Sequence, residues 1–177
     1  MSKPADKPST EASTEEGSPW APVVALQRLS SWVPICSLAR RHRRRIAQHL
    51  LNLSERDRYL RFGYPASDEQ INRYAMGLDF ERDEVLGIFN RRLELVAMAH
   101  LAYAPVAQLA GKPPMAEFGV SVLTKARGRG FGARLFERAA LHARNRSIET
   151  LFIHALSENV PMLKIARNAG ASVGRDG

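Results

Sequence analysis

The sequence predicts an α/β fold built on a mixed sheet, and three observations carry that prediction. Two strand-like runs in the middle of the chain, "EVLGIFN" and "LELVAMAHLAY", flank the turn Asn90, Arg91, Arg92 and read as an antiparallel hairpin. A third run, "AEFGVSVL", leads into a glycine-rich turn, a helical pattern and another apolar run, "TLFIHAL", the order of a parallel crossover unit. Upstream, two serine-led capping signals open helices that can cover the sheet.

Length and composition restrict the classes. The chain has 177 residues, 45% hydrophobic and 25% charged, ordinary for one soluble domain with a sizeable core. No run approaches the roughly 18 apolar residues of a membrane span. The opening "MSKPADKPSTEASTEEGSP" lacks the apolar core of a signal peptide, so a cytoplasmic protein that keeps clear of the membrane is expected. The single cysteine, Cys36, gives neither a disulfide framework nor a metal-ligand cluster, and no metal is expected. Residues 1 to 20 hold two lysines against one aspartate and three glutamates, with few apolar residues, and read as a mildly acidic disordered tail; residues 21–177 form the domain. The net charge of +8 therefore concentrates in the folded part.

The basic helix comes first. In "LARRHRRRIAQHLLNL", Arg40, Arg41, Arg43, Arg44 and Arg45 cover more than half a helix surface, a patch that a polyanion could use or a plain solvated face. Ile46, His49, Leu50 and Leu53 turn inward. "SERDRYLRF" opens with Ser54 and Asp57 in capping-box spacing, and "SDEQINRYAMGL" repeats the device with Ser67 and Gln70. Ile71, Tyr74, Ala75 and Leu78 then form one apolar stripe. After the hairpin, "APVAQLAGKPPM" makes a longer connection to the third strand. From Gly130 a helix presents Gly132, Leu135, Phe136, Ala139, Ala140 and Ala143 on one side. "NVPMLKIARNAG" is a last short helix with Gly170 as its C′ residue.

The turn "TKARGRGFGARL" carries the chemistry. Gly128, Gly130 and Ala133 satisfy the letters of a dinucleotide-binding fingerprint, but Thr124 to Arg127 separate the first glycine from its strand, and the required acidic residue is missing from the end of the next strand. No Gly-Lys-Ser or Gly-Lys-Thr follows, so a P-loop fails as well. What remains is a run of backbone N–H groups at a helix start, with glycines allowing close approach, which suits a pyrophosphate. A turn that merely changes direction is the plainer alternative.

At Arg127, Gly128, Arg129, Gly130, Phe131 and Gly132 the sequence resembles the signature of the GNAT superfamily of acyl-CoA-dependent N-acetyltransferases, which lies between that fold's fourth strand and third helix. "AEFGVSV" is similar to the fourth strand, and "SENVPMLKIARNAG" to the asparagine-led fourth helix, of GNAT domains like the bacterial protein-lysine acetyltransferases. The resemblance implies a GNAT fold over residues 36 to 177, its mixed central sheet flanked by helices. It implies acetyl-CoA as cosubstrate and a primary amine as acceptor: a protein lysine, a polyamine or another small amine.

It also implies roles. Backbone amides from Gly128 to Ala133, through Arg129, Gly130, Phe131 and Gly132, would hold the CoA pyrophosphate, with Arg127 and Arg129 adding charge. Val120, Ser121 and Val122 would pair with the pantetheine arm, where a strand splay admits the thioester and an N–H stabilises the oxyanion. The attack needs a base. Glu117 is the first candidate, against the reading of a solvated edge carboxylate; His154 on the fifth strand is the second, against that of a satisfied core histidine. Asn159 would bond the cofactor, cap the following helix, or do both.

Two departures stand out. Many GNAT enzymes place a thiolate-protonating tyrosine seven residues after that asparagine, where this chain has Ala166, which leaves the general acid unassigned. The family fold continues beyond Gly170 with two more strands, whereas this sequence ends at "ASVGRDG". The C-terminal strands are thus expected to be incomplete, with residues 171 to 175 beginning a strand unpaired on one side and favouring association of two copies. Acetyl transfer is the leading reading; a CoA-binding regulatory or interaction module without turnover is the alternative, and nucleic-acid binding through the arginine helix ranks last.

Overall fold

The computed structural model describes residues 33–172 and 174, and all of these except Val33 belong to the unit Pro34–Gly177. The expected acidic tail lies outside the described residues.

Five strands form one sheet in chain order: β1 (Cys36–Ser37), β2 (Glu84–Phe89), β3 (Leu95–Tyr103), β4 (Met115–Val122) and β5 (Thr150–Phe152). All neighbours are antiparallel except β4 and β5, which run parallel. This is the expected mixed sheet, and β1 is an addition that two residues could not announce. Asn90 organises the hairpin turn: its side-chain oxygen accepts from the backbone N–H groups of Arg92 and Glu94, at 2.9 and 3.0 Å. The "APVAQLAGKPPM" connection contains a short helix, Val106–Leu109, that its glycines and prolines hid.

Helices α1 (Arg43–Leu51), α2 (Glu55–Phe62) and α3 (Asp68–Gly77) cover one face of the sheet. Both serine caps form, since Ser54 and Ser67 accept from the amides of Asp57 and Gln70. Only Gln70 closes a full capping box; the Asp57 carboxylate instead accepts from the Ser54 hydroxyl at 2.7 Å. Arg40, Arg41, Arg44 and Arg45 of the arginine run are exposed, as a solvated face requires, and Arg43 is half-buried. Arg43 donates to the Leu78 carbonyl at 2.8 Å and lies over the Phe80 ring, while Arg45 lies over Phe89.

On the opposite face lies the helix Phe131–Asn145, which follows α4 (Val106–Leu109) and is therefore α5; Phe136 meets Phe118 of β4 edge-on at 5.1 Å. Its inner residues Leu135, Ala139 and Ala143 are buried against the sheet, as the apolar stripe predicts. The last helix, α6 (Val160–Asn168), ends at Gly170 in the left-handed conformation. Ala171 and Ser172 carry no regular structure, and the rest of the expected final strand, apart from Gly174, lies outside the described residues.

His49 locks α1 to the sheet. Fully buried, its Nδ1 donates to the Leu95 carbonyl at 2.8 Å, and its Nε2 accepts from the Ser121 hydroxyl at 2.7 Å. Burial, with a smaller contribution from Arg61, outweighs the Leu95 bond and lowers its pKa from 6.5 to about 4. Unfolded chains therefore take up this proton first as the pH falls. Stability from the site is complete above about pH 6.5 and is lost on acidification towards pH 4, by up to roughly 3 kcal/mol. Thermal unfolding measured from pH 7 to 4.5 should show a steeper loss for the wild type than for His49→Asn.

Candidate active site

Sheet pairing creates the site. β5 pairs with β4 only from Met115 to Glu117. Beyond Phe152 the two strands part, and the predicted strand "TLFIHAL" stops short, so Ile153 and His154 stand past its end. Between the diverging chains lies a cleft of about 370 Å³ lined by Glu117 to Val120, Ile153 to Leu156, the end of α2, and Asn159 and Met162.

The free edge of β4 can be read from its bonds on the other side. Met115 accepts from Ala104, and Leu123 donates to Val96, both towards β3. Main-chain groups alternate along a strand, so those of Phe118, Val120 and Val122 point the other way, to the edge that β5 has left. Val120 and Val122 thus fit the expected main-chain role. Ser121 does not: its main chain faces β3, and its hydroxyl is bonded to His49.

Glu117, expected on the face opposite Phe118, lies there and opens to the cleft. The two candidate bases, one from each side of the split, come together: His154 Nδ1 stands 3.1 Å from Glu117 Oε1. The histidine side chain is 69% exposed and the glutamate 46%, so His154 is not a satisfied core residue. Glu117, at the last position of β4 that pairs with β5, is half-exposed and meets His154.

The glycine turn lies at the N-terminus of α5. Gly128 and Gly130 adopt φ of +75° and +72°, and a Cβ at either would meet nothing within 4 Å, so the loop faces open space. Gly130 caps a helix of 15 residues with no side-chain cap, leaving the N–H groups of Phe131, Gly132 and Ala133 without a partner among the described residues. Such an end carries about half a positive charge. It fits a pyrophosphate. A side chain at +72° costs about 1–2 kcal/mol, so Gly130→Ala should raise KM for acetyl-CoA several-fold with kcat nearly unchanged, as measured by initial rates.

The two loop arginines differ. Arg127 is committed to the Asp57 carboxylate, which ties the loop to the start of α2. Arg129 makes no hydrogen bond or ion pair among the described residues and remains exposed. Both were expected to add charge near the phosphates; the Arg127 guanidinium is bound to Asp57, and that of Arg129 is left without such a partner among the described residues.

Asn159 caps α6, accepting from Met162 N at 3.3 Å, and its Nδ2 donates to the Leu60 carbonyl at 3.3 Å. The cap reading holds, and the amide also fastens the end of α2 across the cleft. Position 166, where the family tyrosine is missing, is a buried alanine.

Sequence reasoning missed a hydrogen-bonded chain behind the cleft. Arg61 Nη2 donates to Tyr74 Oη at 2.9 Å, Tyr74 Oη is 2.7 Å from His100 Nδ1, and His100 Nε2 is 2.8 Å from Asp83 Oδ2. A carboxylate only accepts, so Nε2 donates to Asp83, and Nδ1 meets the phenol oxygen. Burial keeps Tyr74 protonated by raising its pKa. Burial also pushes Asp83 up, but the bonds from His100 and Arg82 prevail and hold it at about 2. Four residues scattered from α2 to β3 carry no shared spacing, so no sequence motif could have revealed them.

A mixed sheet split at a parallel strand pair, with a glycine turn opening the crossover helix, is the arrangement that the GNAT resemblance implied. Residues 47–171 match the acetyltransferase (GNAT) family. The chain therefore belongs to the GNAT family, and acetyl-CoA is its cosubstrate. Among solved structures, the GNAT domain of S. lividans PAT is similar over 80% of this chain and 82% of that one, with 24% identity and a TM-score of 0.66. A ribosomal-protein-alanine N-acetyltransferase from Brucella melitensis biovar Abortus 2308 is similar over 82% and 96%, with 20% identity and a TM-score of 0.59. The aminoglycoside N-acetyltransferase AAC(6')-Iy, solved with CoA, is similar over 82% and 91%, with 13% identity and a TM-score of 0.59. These likenesses show the fold. No curated protein matches the sequence. Among the described residues no helix is long and apolar enough to cross a membrane.

Proposed function

We propose that this chain transfers an acetyl group from acetyl-CoA directly to a primary amine held in the β4–β5 cleft, with Glu117 as the base. The single observation that carries the reading is the meeting of Glu117 and His154 at 3.1 Å on the wall of that cleft.

The chain's parts divide the work. The N–H groups of Phe131, Gly132 and Ala133 hold the pyrophosphate, and the exposed Arg129 adds charge nearby. The free edge of β4 pairs with the pantetheine arm, and the Val120 N–H faces the acetyl carbonyl oxygen as charge develops there. Acetyl-CoA supplies the acyl group as a thioester: a C–N bond forms, the C–S bond breaks, and the electron pair leaves with sulfur. Glu117 takes a proton from the acceptor ammonium and passes it to His154, which delivers it to solvent. A second proton leaves nitrogen as the amide forms, and the thiolate recovers one through the cleft, so one proton is released per turnover. With alanine at 166, water protonates the sulfur, which a leaving group of pKa roughly 8.5 tolerates.

Direct attack requires both substrates to be bound together. Initial rates with acetyl-CoA and amine varied together should give intersecting double-reciprocal lines. Parallel lines with an acetylated enzyme would replace direct attack by a covalent route.

A further inference from the structure

The cleft holds a cation that acetyl transfer itself does not use. Arg61 lies in the last turn of α2 with its guanidinium carbon only 2.6 Å from where a Cβ on Gly119 would stand. Only glycine leaves room for it to lie against the sheet. One of its donors is taken by Tyr74 Oη at 2.9 Å, and the rings of Phe62 and Tyr74 lie beside it at 5.1 and 5.6 Å. No carboxylate among the described residues is within ion-pair reach of it. Arg61 lines the cleft, and its guanidinium has five N–H donors, of which the bond to Tyr74 uses one.

Its position is fixed from behind. The Tyr74–His100–Asp83 chain, with Arg82 bonded to Asp83 at 2.7 and 3.0 Å, holds the phenol that holds Arg61. A guanidinium so oriented and lacking a counter-ion is a receptor for a carboxylate, which it can meet with two parallel N–H bonds. The distance then selects the ligand. Glu117 and Gly119 lie on one face two residues apart, about 7 Å along the strand. An amine at Glu117 and an anion at Arg61 thus belong to one small molecule, separated by a few bonds. A polyamine would instead bring further positive charge up to a fixed cation.

We infer that Arg61 forms an anion subsite of the acceptor site, and that the acceptor is a small amine with a carboxylate a few bonds from the reacting nitrogen, an α-amino acid being the simplest member. This rests on the acetyl-transfer reading of the same cleft.

The test compares α-amino acids with their α-carboxamides as acceptors for the full-length chain, with acetyl-CoA saturating and thiol release followed. The wild type should favour the free acids by about tenfold or more in kcat/KM. Without an anion subsite the carboxamides lead, because their amines lose the proton more readily. Arg61→Gln should bring the ratio within about twofold or reverse it without changing KM for acetyl-CoA, and Arg61→Lys should keep part of the preference. Equal or better use of the carboxamides by the wild type overturns the inference, as does a preference that persists in Arg61→Gln. Turnover with peptides or polyamines but not amino acids overturns the anion subsite and leaves acetyl transfer standing. No amine-dependent release with any acceptor is the failure of acetyl transfer itself, and the subsite falls with it.

Discussion

Glu117→Gln should lower kcat by about 10²–10⁴-fold, the range expected when a positioned base is removed, and leave KM for acetyl-CoA within about twofold. The amide keeps the shape of the side chain and can still meet His154, 3.1 Å away, but it cannot take a proton from the acceptor. The cradle at Gly128 to Ala133 belongs to another element and does not sense the change. His154→Ala should be milder, within about tenfold, because the ring is 69% exposed and water can carry the proton in its place. Steady-state rates across an amine panel check both. Unchanged kcat in Glu117→Gln would move the base elsewhere.

The largest stability effect is expected at the neighbouring residue. Phe118 is 1% exposed and meets Phe136 of α5 at 5.1 Å, so it pins the strand that carries Glu117 to the helix that follows the glycine turn. Phe118→Ala removes the ring and leaves a cavity, at a cost of about 3–5 kcal/mol. For a domain of this size that lowers Tm by roughly 6–20 °C. Activity should fall as well, because the main-chain groups of Phe118 border the open edge of β4. Phe118→Leu, which keeps most of the volume, should cost markedly less. Calorimetry of the two variants against wild type gives the comparison; equal Tm values would mean that the ring bears no such load.

Local chemistry explains why much of this was legible in the sequence. Period-two alternation forecast the hairpin and β4, and the serine caps placed α2 and α3, because these signals depend on residues a few positions apart. The glycines of "ARGRGFG" were read as allowing close approach at a helix start, and Gly128 and Gly130 do open the turn with positive φ while Gly132 lies in the helix. Strand pairing was less visible. The run "TLFIHAL" signals burial, and burial is satisfied equally by a strand or by a chain leaving the sheet, so the break after Phe152 could not be read from it. Arg127 was expected at the phosphates because its letters adjoin the glycines, whereas its carboxylate partner, Asp57, lies 70 residues earlier and was assigned only to a cap. Arg61 was one arginine among many in "SERDRYLRF"; only the fold puts it against Gly119. Glu117 and His154 were each proposed alone, and nothing in their spacing said that they touch.

The central claim is acetyl transfer at the β4–β5 cleft. Mass spectrometry of amines incubated with isotopically labelled acetyl-CoA, with thiol release followed in parallel, tests it most directly. Labelled N-acetyl product should form one for one with CoA thiol, and both should be lost in Glu117→Gln. Saturable acetyl-CoA binding with no acetylated amine over a panel of amino acids, polyamines and lysine peptides would contradict it, and would leave a CoA-binding module in place of an enzyme.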